Sequence, residues 1–355
     1  MRFVIGYLVL TLATSTAEAA EELDFARVLK TTLEDVILPA HQALADASLE
    51  LKEPVNILCD DPSREHLEAV RTSFESLVLH WSKIEMYRFG PALEANRFEK
   101  LFYWPDRRGR ALRQVRKVLD SQDPTLLSIE TLAKKSVAVQ GLLALEFILF
   151  GSDSETLFTG NAHRCNYLRS ITGVIAMNTS SLSDSWRGEA GYAAELINAG
   201  QANSLYNSPG EVVQELIKAA ATQLQIVGEL KIAASIGKSP GKAKPKRAPF
   251  WRSDLTITTL AVNISAVERL LNSGISELVV NKDGNADKSF KFELSQVKAG
   301  LKTINSHWIN AATSAQKREV LFRSYESLAK TVQILQKSYP RALGLIFGFN
   351  TLDGD

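Results

Sequence analysis

A run of apolar residues in the middle of the chain constrains the fold most. Between Lys135 and Asp153 the only ionisable side chain is Glu146, and the stretch Ser136–Gly151 consists almost entirely of Val, Ala, Leu, Ile and Phe. A helix that is apolar on all sides is a buried one, and this run is too short for a membrane span of about 20 residues. A buried carboxylate is costly unless a cation, a metal ion or hydrogen-bond donors meet it. We therefore expect Glu146 to belong either to a structural ion pair or to a functional site.

The same stretch resembles the signature of the imelysin-like proteins, which is G-x-H-x-x-E within a leucine-rich, aromatic helix. Gly141 and Glu146 match its Gly and Glu, whereas Leu143 stands where the family has His. Further matches follow in the same order along the chain: Trp81, Arg88-Phe89-Gly90-Pro91, Trp104-Pro105, Trp251-Arg252-Ser253 and the tail from Leu343 to Asp355. The resemblance therefore extends over essentially the whole mature chain.

This resemblance implies two helical bundles with a site near their interface. The family has been classed with metallopeptidases, its His and Glu are taken as metal ligands, and it is associated with iron acquisition. Since Leu143 has no lone pair to donate, the resemblance implies a degenerate metal position here. A His at position 143 would share a helix face with Glu146, and we expect it to raise the affinity for zinc or ferrous iron.

The spacing of apolar residues predicts an all-α protein. Leu67, Val70, Phe74 and Leu77 recur at helical intervals, and no strand-like alternation is sustained over several segments. About eight long helices with short connectors are typical of antiparallel bundles. We predict an N-terminal bundle over residues 20–205, which carries the Gly141–Glu146 motif, and a C-terminal bundle over residues 206–355.

Prolines predict where helices are interrupted. Pro39 predicts a kink or a break before Ala40, and residues 54–61 are predicted to form a connector. Asp61 followed by Pro62 has the pattern of a helix N-cap with Pro at the first helical position. Gly90-Pro91 is expected to follow the end of that helix.

The N-terminus predicts export to the periplasm. Arg2 forms a short positive region, Phe3 to Leu12 form an apolar one, and Ala17-Glu18-Ala19 supplies small residues at the cleavage positions. Residues 1–19 are thus predicted to be a signal peptide that is cleaved after Ala19. No transmembrane segment is expected in the mature protein.

Two cysteines, Cys59 and Cys165, are the only ones in the chain. In an oxidising compartment they form the one possible intramolecular disulfide. A loop of this size is expected to contribute roughly 4–5 kcal/mol to stability.

The sequence argues against hydrolysis. It contains no H-E-x-x-H motif, in which two His one turn apart hold zinc and a Glu activates water. The five histidines are scattered, with none at ligand spacing from another. We expect a protein that acts by binding in iron or metal acquisition, with other envelope iron-uptake proteins as partners. A metallopeptidase of the imelysin type and a partner-binding envelope scaffold are the alternatives.

The site around Glu146 has two interpretations. With acids from elsewhere, such as Glu85 or Asp106, Glu146 would favour a hard cation over zinc. Alternatively, it pairs with Arg88 or Arg252 and the pocket holds no metal. The cofactor is therefore a divalent or iron ion, or none. The residues predicted to line the pocket are Trp81, Glu85, Arg88, Asp106, Gly141, Leu143, Glu146, Arg252 and Ser253.

One segment breaks with the composition of the rest. Residues 237–248, GKSPGKAKPKRA, hold five Lys or Arg residues, two Pro and two Gly. This composition is typical of a solvated, mobile loop, and a polyanion-binding patch is the alternative. The chain as a whole has a net charge of only +1, which does not indicate a nucleic-acid partner.

Overall fold

The computed structural model describes residues 24–106, 108–123, 125 and 127–345. Within these ranges the chain forms helices joined by turns, with no strand. The all-α prediction is therefore confirmed. The predicted signal peptide and the tail matches beyond residue 345 lie outside the described residues.

The first half of the chain is built around three long helices and the short apolar helix that carries Glu146. Its helices are α1 (residues 24–50), α2 (Lys52–Asp60), α3 (Arg64–Ile84), α4 (Arg97–Leu101), α5 (Arg110–Ser121), α6 (Ile129–Ala133), α7 (Leu142–Phe150), α8 (Ala162–Trp186) and α9 (Tyr192–Ile197). Helix α1 packs on α3 and α8, and α7 packs against α3, α5 and α8. The Glu146 helix is thus enclosed by its neighbours.

The second half continues with long helices. They are α10 (Pro209–Gln225), α11 (Thr256–Asn272), α12 (Ile275–Lys302), α13 (Trp308–Thr313), α14 (Ala315–Gln333) and α15 (Tyr339–Leu343). A π-helical segment, Ile226–Ala233, continues α10 and leads into the single turn Ala234–Ile236. Helix α11 packs on α3 of the first half, and one apolar cluster runs from Val28 to Tyr339. The division of the chain at residue 205 stays a prediction.

Pro39 does not break α1. The π-helical turn Leu33–Ile37 precedes it, and the backbone N–H of Leu38 donates to the carbonyl of Leu33, five residues back. Proline has no N–H to offer the carbonyl four residues before it, which is that of Asp35. Arg269 of α11 donates to this carbonyl at 3.2 Å instead. The expected kink is replaced by a widened turn and a contact between helices.

The predicted connector at residues 54–61 is wrong, because α2 spans Lys52–Asp60. Pro54 lies in the first turn of α2, where a backbone N–H is not needed for the helix. The predicted cap at Asp61 is also wrong, since the hydroxyl of Ser63 accepts from the N–H of His66 at 3.1 Å and α3 begins at Arg64. Among the residues the structure describes, no helix has the length and apolar character to cross a membrane.

Candidate functional site

Gly141 determines how the Glu146 helix enters the core. Its φ of 81° and ψ of −177° lie in a backbone region that is essentially restricted to glycine. A Cβ atom at this position would lie 2.4 Å from the carbonyl oxygen of Lys100 and 2.6 Å from that of Leu101. Helix α7 consequently starts only at Leu142, against the end of α4. The apolar stretch from Ser136 is thus not one continuous helix.

Glu146 is fully buried and accepts hydrogen bonds from a loop of the second half. Its Oε1 accepts from the backbone N–H of Arg252 at 3.0 Å, the N–H of Ser253 at 3.0 Å and the Ser253 hydroxyl at 2.9 Å. The other oxygen, Oε2, has no hydrogen-bond partner and lies 3.7 Å from Nη1 of Arg252. Burial raises the pKa of Glu146, while Ser253 and Arg252 oppose that rise without cancelling it.

The loop that binds Glu146 is a tight turn after the basic segment. Phe250 and Asp254 have φ values of 60° and 59°, and the N–H of Leu255 donates to the carbonyl of Phe250 at 3.0 Å. The carboxylate of Asp254 accepts from the backbone N–H of Trp308 at 2.8 Å and lies 2.6 Å from the imidazole of His307. These contacts hold the turn in place, so that the backbone N–H groups of Arg252 and Ser253 reach the carboxylate of Glu146.

A cavity of about 1200 Å³ opens beside Glu146. Five of the predicted pocket residues line it: Asp106, Leu143, Glu146, Arg252 and Ser253. Asp106 is occupied in capping α5, because its two carboxylate oxygens accept from the N–H groups of Arg110 and Ala111 at 2.9 Å each. Gln140, which the sequence did not single out, also lines the cavity. Its Nε2 donates to two carbonyl oxygens, whereas its buried Oε1 has no partner.

The basic segment forms part of the cavity wall. The indole of Trp104 donates to the carbonyl of Arg247 at 2.9 Å, and the indole of Trp308 donates to the carbonyl of Pro245 at 2.9 Å. Lys246 and Arg247 line the cavity as a result, and Nζ of Lys246 lies 5.1 Å from the centre of the Trp251 ring. Two hydrogen bonds from tryptophans therefore anchor a segment whose composition is typical of a solvated, mobile loop.

Glu85 and Arg88 belong to a separate buried network and do not line the cavity. Glu85 accepts from Arg88 at 3.0 Å, from Lys231 at 2.6 Å and from Asn263 at 3.1 Å. Lys231 is fully buried and also donates to Asn263 at 2.7 Å. Burial alone would raise the pKa of Glu85, but Lys231 and Arg88 outweigh it and hold that pKa below its usual range. Burial lowers the pKa of Lys231, and Glu85 opposes this.

Trp81 is a core residue. Its ring lies 5.2 Å from that of Phe98 and 5.5 Å from that of Phe102, and it does not line the cavity. Lys231 and Asn263 are the partners that sequence reasoning missed. A signal for Lys231 was present, because it is the one Lys or Arg between Lys218 and Lys238, and it is flanked by Leu230 and Ile232.

The residues around Glu146 do not fit a metal ion. Leu143 offers no ligand atom, Oε1 of Glu146 already accepts three hydrogen bonds, and the nearest charged group is the Arg252 guanidinium. Borderline metals in proteins take four ligands, or three and a water. Within residues 24–345, positions 107, 124 and 126 aside, no group of three or more His, Cys, Asp or Glu side chains is placed to hold one.

The chain forms helical bundles around a buried, hydrogen-bonded carboxylate, and a large cavity lies beside this carboxylate. These features define an all-α protein of imelysin-like architecture. The model of the imelysin family, peptidase family M75, matches residues 37–335. This chain belongs to that family, which confirms the resemblance first seen at Gly141 and Glu146. No curated protein sequence matches it significantly.

Two crystal structures share the fold. An imelysin-like protein from Psychrobacter arcticum 273-4 superimposes with a TM-score of 0.77 at 19% identity, covering 92% of this chain and 98% of that one. A protein from Parabacteroides distasonis ATCC 8503, described provisionally as an iron-regulated protein A precursor, gives a TM-score of 0.75 at 14% identity. That match covers 90% of this chain and 95% of the other.

Proposed function

We propose that this protein serves iron or metal acquisition in the cell envelope and that it acts by binding, not by catalysis. The observation that carries the proposal is the hydrogen bonding of Glu146. A carboxylate whose Oε1 accepts three hydrogen bonds from Arg252 and Ser253 is poorly placed to activate water. Position 143, where the family motif has the His of its metal site, is Leu. The cavity remains as a place for a ligand.

The link to iron rests on the family and on the neighbouring structure from Parabacteroides distasonis, which is described as iron-regulated. The periplasm is the proposed compartment, because residues 1–19 have the pattern of a cleaved signal peptide. A Cys59–Cys165 disulfide fits an oxidising compartment. Other envelope iron-uptake proteins are the proposed partners.

The test has two parts: iron accumulation is measured in cells, and peptide cleavage is measured with the purified protein. Cells that lack the gene should accumulate less iron under iron limitation, and the wild-type gene should restore it. The purified mature protein should cleave unfolded casein no faster than its Glu146→Gln variant. Intact mass should match cleavage after Ala19.

The family name favours a metallopeptidase as the second candidate. Casein cleavage that requires an added metal ion and disappears in Glu146→Gln would establish that alternative. Unchanged iron accumulation in cells without the gene would refute the acquisition role.

A further inference from the structure

The cavity carries positive charge that no carboxylate neutralises. Arg116, Lys246 and Arg247 line it, and none of them has an ion-pair partner among the described residues. Of the carboxylates that line the cavity, Asp106 caps α5, Asp254 binds Trp308 and His307, and Glu146 lies beside Arg252. Four Arg or Lys side chains and three carboxylates thus line the cavity, and an excess of positive charge attracts anions.

These cations gather around two aromatic rings. The guanidinium carbons of Arg116 and Arg252 lie 5.6 Å and 5.4 Å from the centre of the Phe147 ring. Arg252 also lies 4.4 Å from the centre of the Trp251 ring, which Lys246 approaches at 5.1 Å. Burial lowers the pKa of Arg252, Glu146 opposes this, and the nearby charge of Arg116 lowers it further. Like charges held this close repel one another, and a bound anion would relieve the repulsion.

Two residues of the cavity lining, Glu146 and Gln140, have the opposite requirement. Glu146 is fully buried and Gln140 is 2% exposed, and each has one oxygen without a hydrogen-bond partner. A buried acceptor left unpaired costs about 1–3 kcal/mol, so a ligand that donates hydrogen bonds to these oxygens would be stabilised. Arg252 lies only 3.7 Å from Oε2 of Glu146 and disfavours an ammonium group or a metal ion there. A neutral hydroxyl group fits.

We propose that the cavity binds an aromatic hydroxy acid. Its carboxylate meets Arg116 and Lys246, its ring packs against Phe147 and Trp251, and its hydroxyl groups donate to Glu146. The proposal rests on the binding role given above and names the class of ligand for the same site.

Calorimetric titration of the mature protein with 3,4-dihydroxybenzoate tests the ligand class, and benzoate serves as the matched acid without hydroxyl groups. Hydrogen bonds to charged groups contribute about 1.5–3 kcal/mol, so the dihydroxy acid should bind at least about tenfold more tightly. Equal binding of the two acids, or no binding of either, would overturn the proposal.

The cations are tested with matched pairs of exposed residues. Arg116→Gln combined with Lys246→Gln should weaken binding by roughly three- to tenfold, as expected for two partly exposed ion pairs. Lys117→Gln combined with Lys244→Gln removes the same charge from neighbouring residues that do not line the cavity, and it should leave binding unchanged. Equal weakening by both pairs would mean that only net charge attracts the acid, and it would refute the site.

The ferric complex of the same acid separates this proposal from the acquisition role. Its hydroxyl oxygens bind iron and carry no protons, and the complex should therefore bind more weakly than the free acid. Tighter binding of the complex would overturn the assignment of Glu146 as the acceptor. Absence of acid binding in a protein that still restores iron accumulation would refute the ligand class and leave the acquisition role standing.

Discussion

At the scale of single residues, Gly141 is a position that tolerates a side chain poorly. Gly141→Ala would strain a backbone region that only glycine occupies readily and would place a Cβ 2.4 Å from the carbonyl oxygen of Lys100. We expect a loss of at least about 2 kcal/mol in the free energy of unfolding, measured with urea. Gly200→Ala is the control, since nothing lies within 4 Å of its added Cβ. Similar stability of the two variants would contradict the account of Gly141.

Glu146 should make stability depend on pH in a defined direction. Burial raises its pKa in the folded protein, so the folded state binds a proton more readily than the unfolded state does. The stability that this contributes is present at low pH and is lost as pH rises through the raised pKa. The Gln side chain of the Glu146→Gln variant cannot ionise. The pH-dependent contributions of the other groups to stability are shared by the variant and the wild type, and they cancel when the two proteins are compared. We therefore expect the stability of Glu146→Gln relative to wild type to increase between pH 4 and pH 7, as measured by urea unfolding. A relative stability that falls over this range would contradict the raised pKa.

Leu143→His tests whether one missing ligand explains the lack of a metal site. The sequence predicts a gain in zinc affinity, but the described residues hold no group of three or more ligands. The variant adds one imidazole near Glu146, whose Oε2 lies 3.7 Å from Arg252. We expect no micromolar zinc binding by this variant in calorimetry, because stable zinc sites have three or four protein ligands. Tight stoichiometric binding would show that a further ligand lies within reach.

The sequence predicted part of this site. A single Glu in an apolar stretch needs donors, and the sequence offered Arg252 as one of two candidate cations and Ser253 as a pocket residue. Both donate to Glu146 in the fold. Arg88 was an equally good candidate on charge alone, and in the folded chain it pairs with Glu85 instead. The unpaired oxygen of Gln140 was not predictable, since the pairing of a neutral amide depends on where the backbone carbonyls come to lie.

At the scale of helices, the buried network around Glu85 joins α3 to the π-helical segment after α10. Glu85→Leu or Lys231→Met alone would leave a buried charge without its partner, and each should cost about 3–5 kcal/mol of unfolding free energy. The double variant should cost clearly less than the sum of the two, because neither charge then remains. Guanidinium unfolding of the four proteins measures the coupling.

The exposed pair Glu319 and Arg323 on α14, 2.9 Å apart, is the matched control for that network. Its coupling should be below about 1 kcal/mol. A coupling between Glu85 and Lys231 as small as this would mean that the network does not join the two halves energetically.

Helix boundaries were the weakest part of the sequence prediction. Pro39 predicts a kink or a break and Pro54 the start of a connector, yet both lie inside helical runs. A π-helical turn accommodates Pro39, and a first-turn position accommodates Pro54. The arrangement at Pro39 has no local signature in the sequence. The carbonyl that Pro39 leaves free accepts from Arg269, which is far away in sequence. The fold class was predictable since it depends on periodicity summed over long segments.

At the scale of the whole molecule, one apolar core extends through both halves. The Glu146 site depends on this arrangement, because α7 supplies the carboxylate and the turn before α11 supplies its donors. The Glu85 network likewise takes residues from α3, the π-helical segment and α11. Sequence patterns locate each helix but do not encode which turn meets which carboxylate. The site therefore became visible only in the folded chain.

The Cys59–Cys165 disulfide should contribute strongly to the stability of the whole chain. It joins α2 to α8; the two cysteines are 106 positions apart in the sequence, and their Cα atoms are 5.6 Å apart. Closing so long a loop restricts the unfolded chain, and Cys59→Ala combined with Cys165→Ala should cost roughly 4–5 kcal/mol in urea unfolding. A reducing agent should destabilise the wild type to a similar extent and leave the double variant unchanged, since it has no bond to reduce. Thiol titration of the unfolded, unreduced wild type should find no free thiol. Two free thiols per chain would show that the bond does not form, and the same titration would then remove an argument for an oxidising compartment.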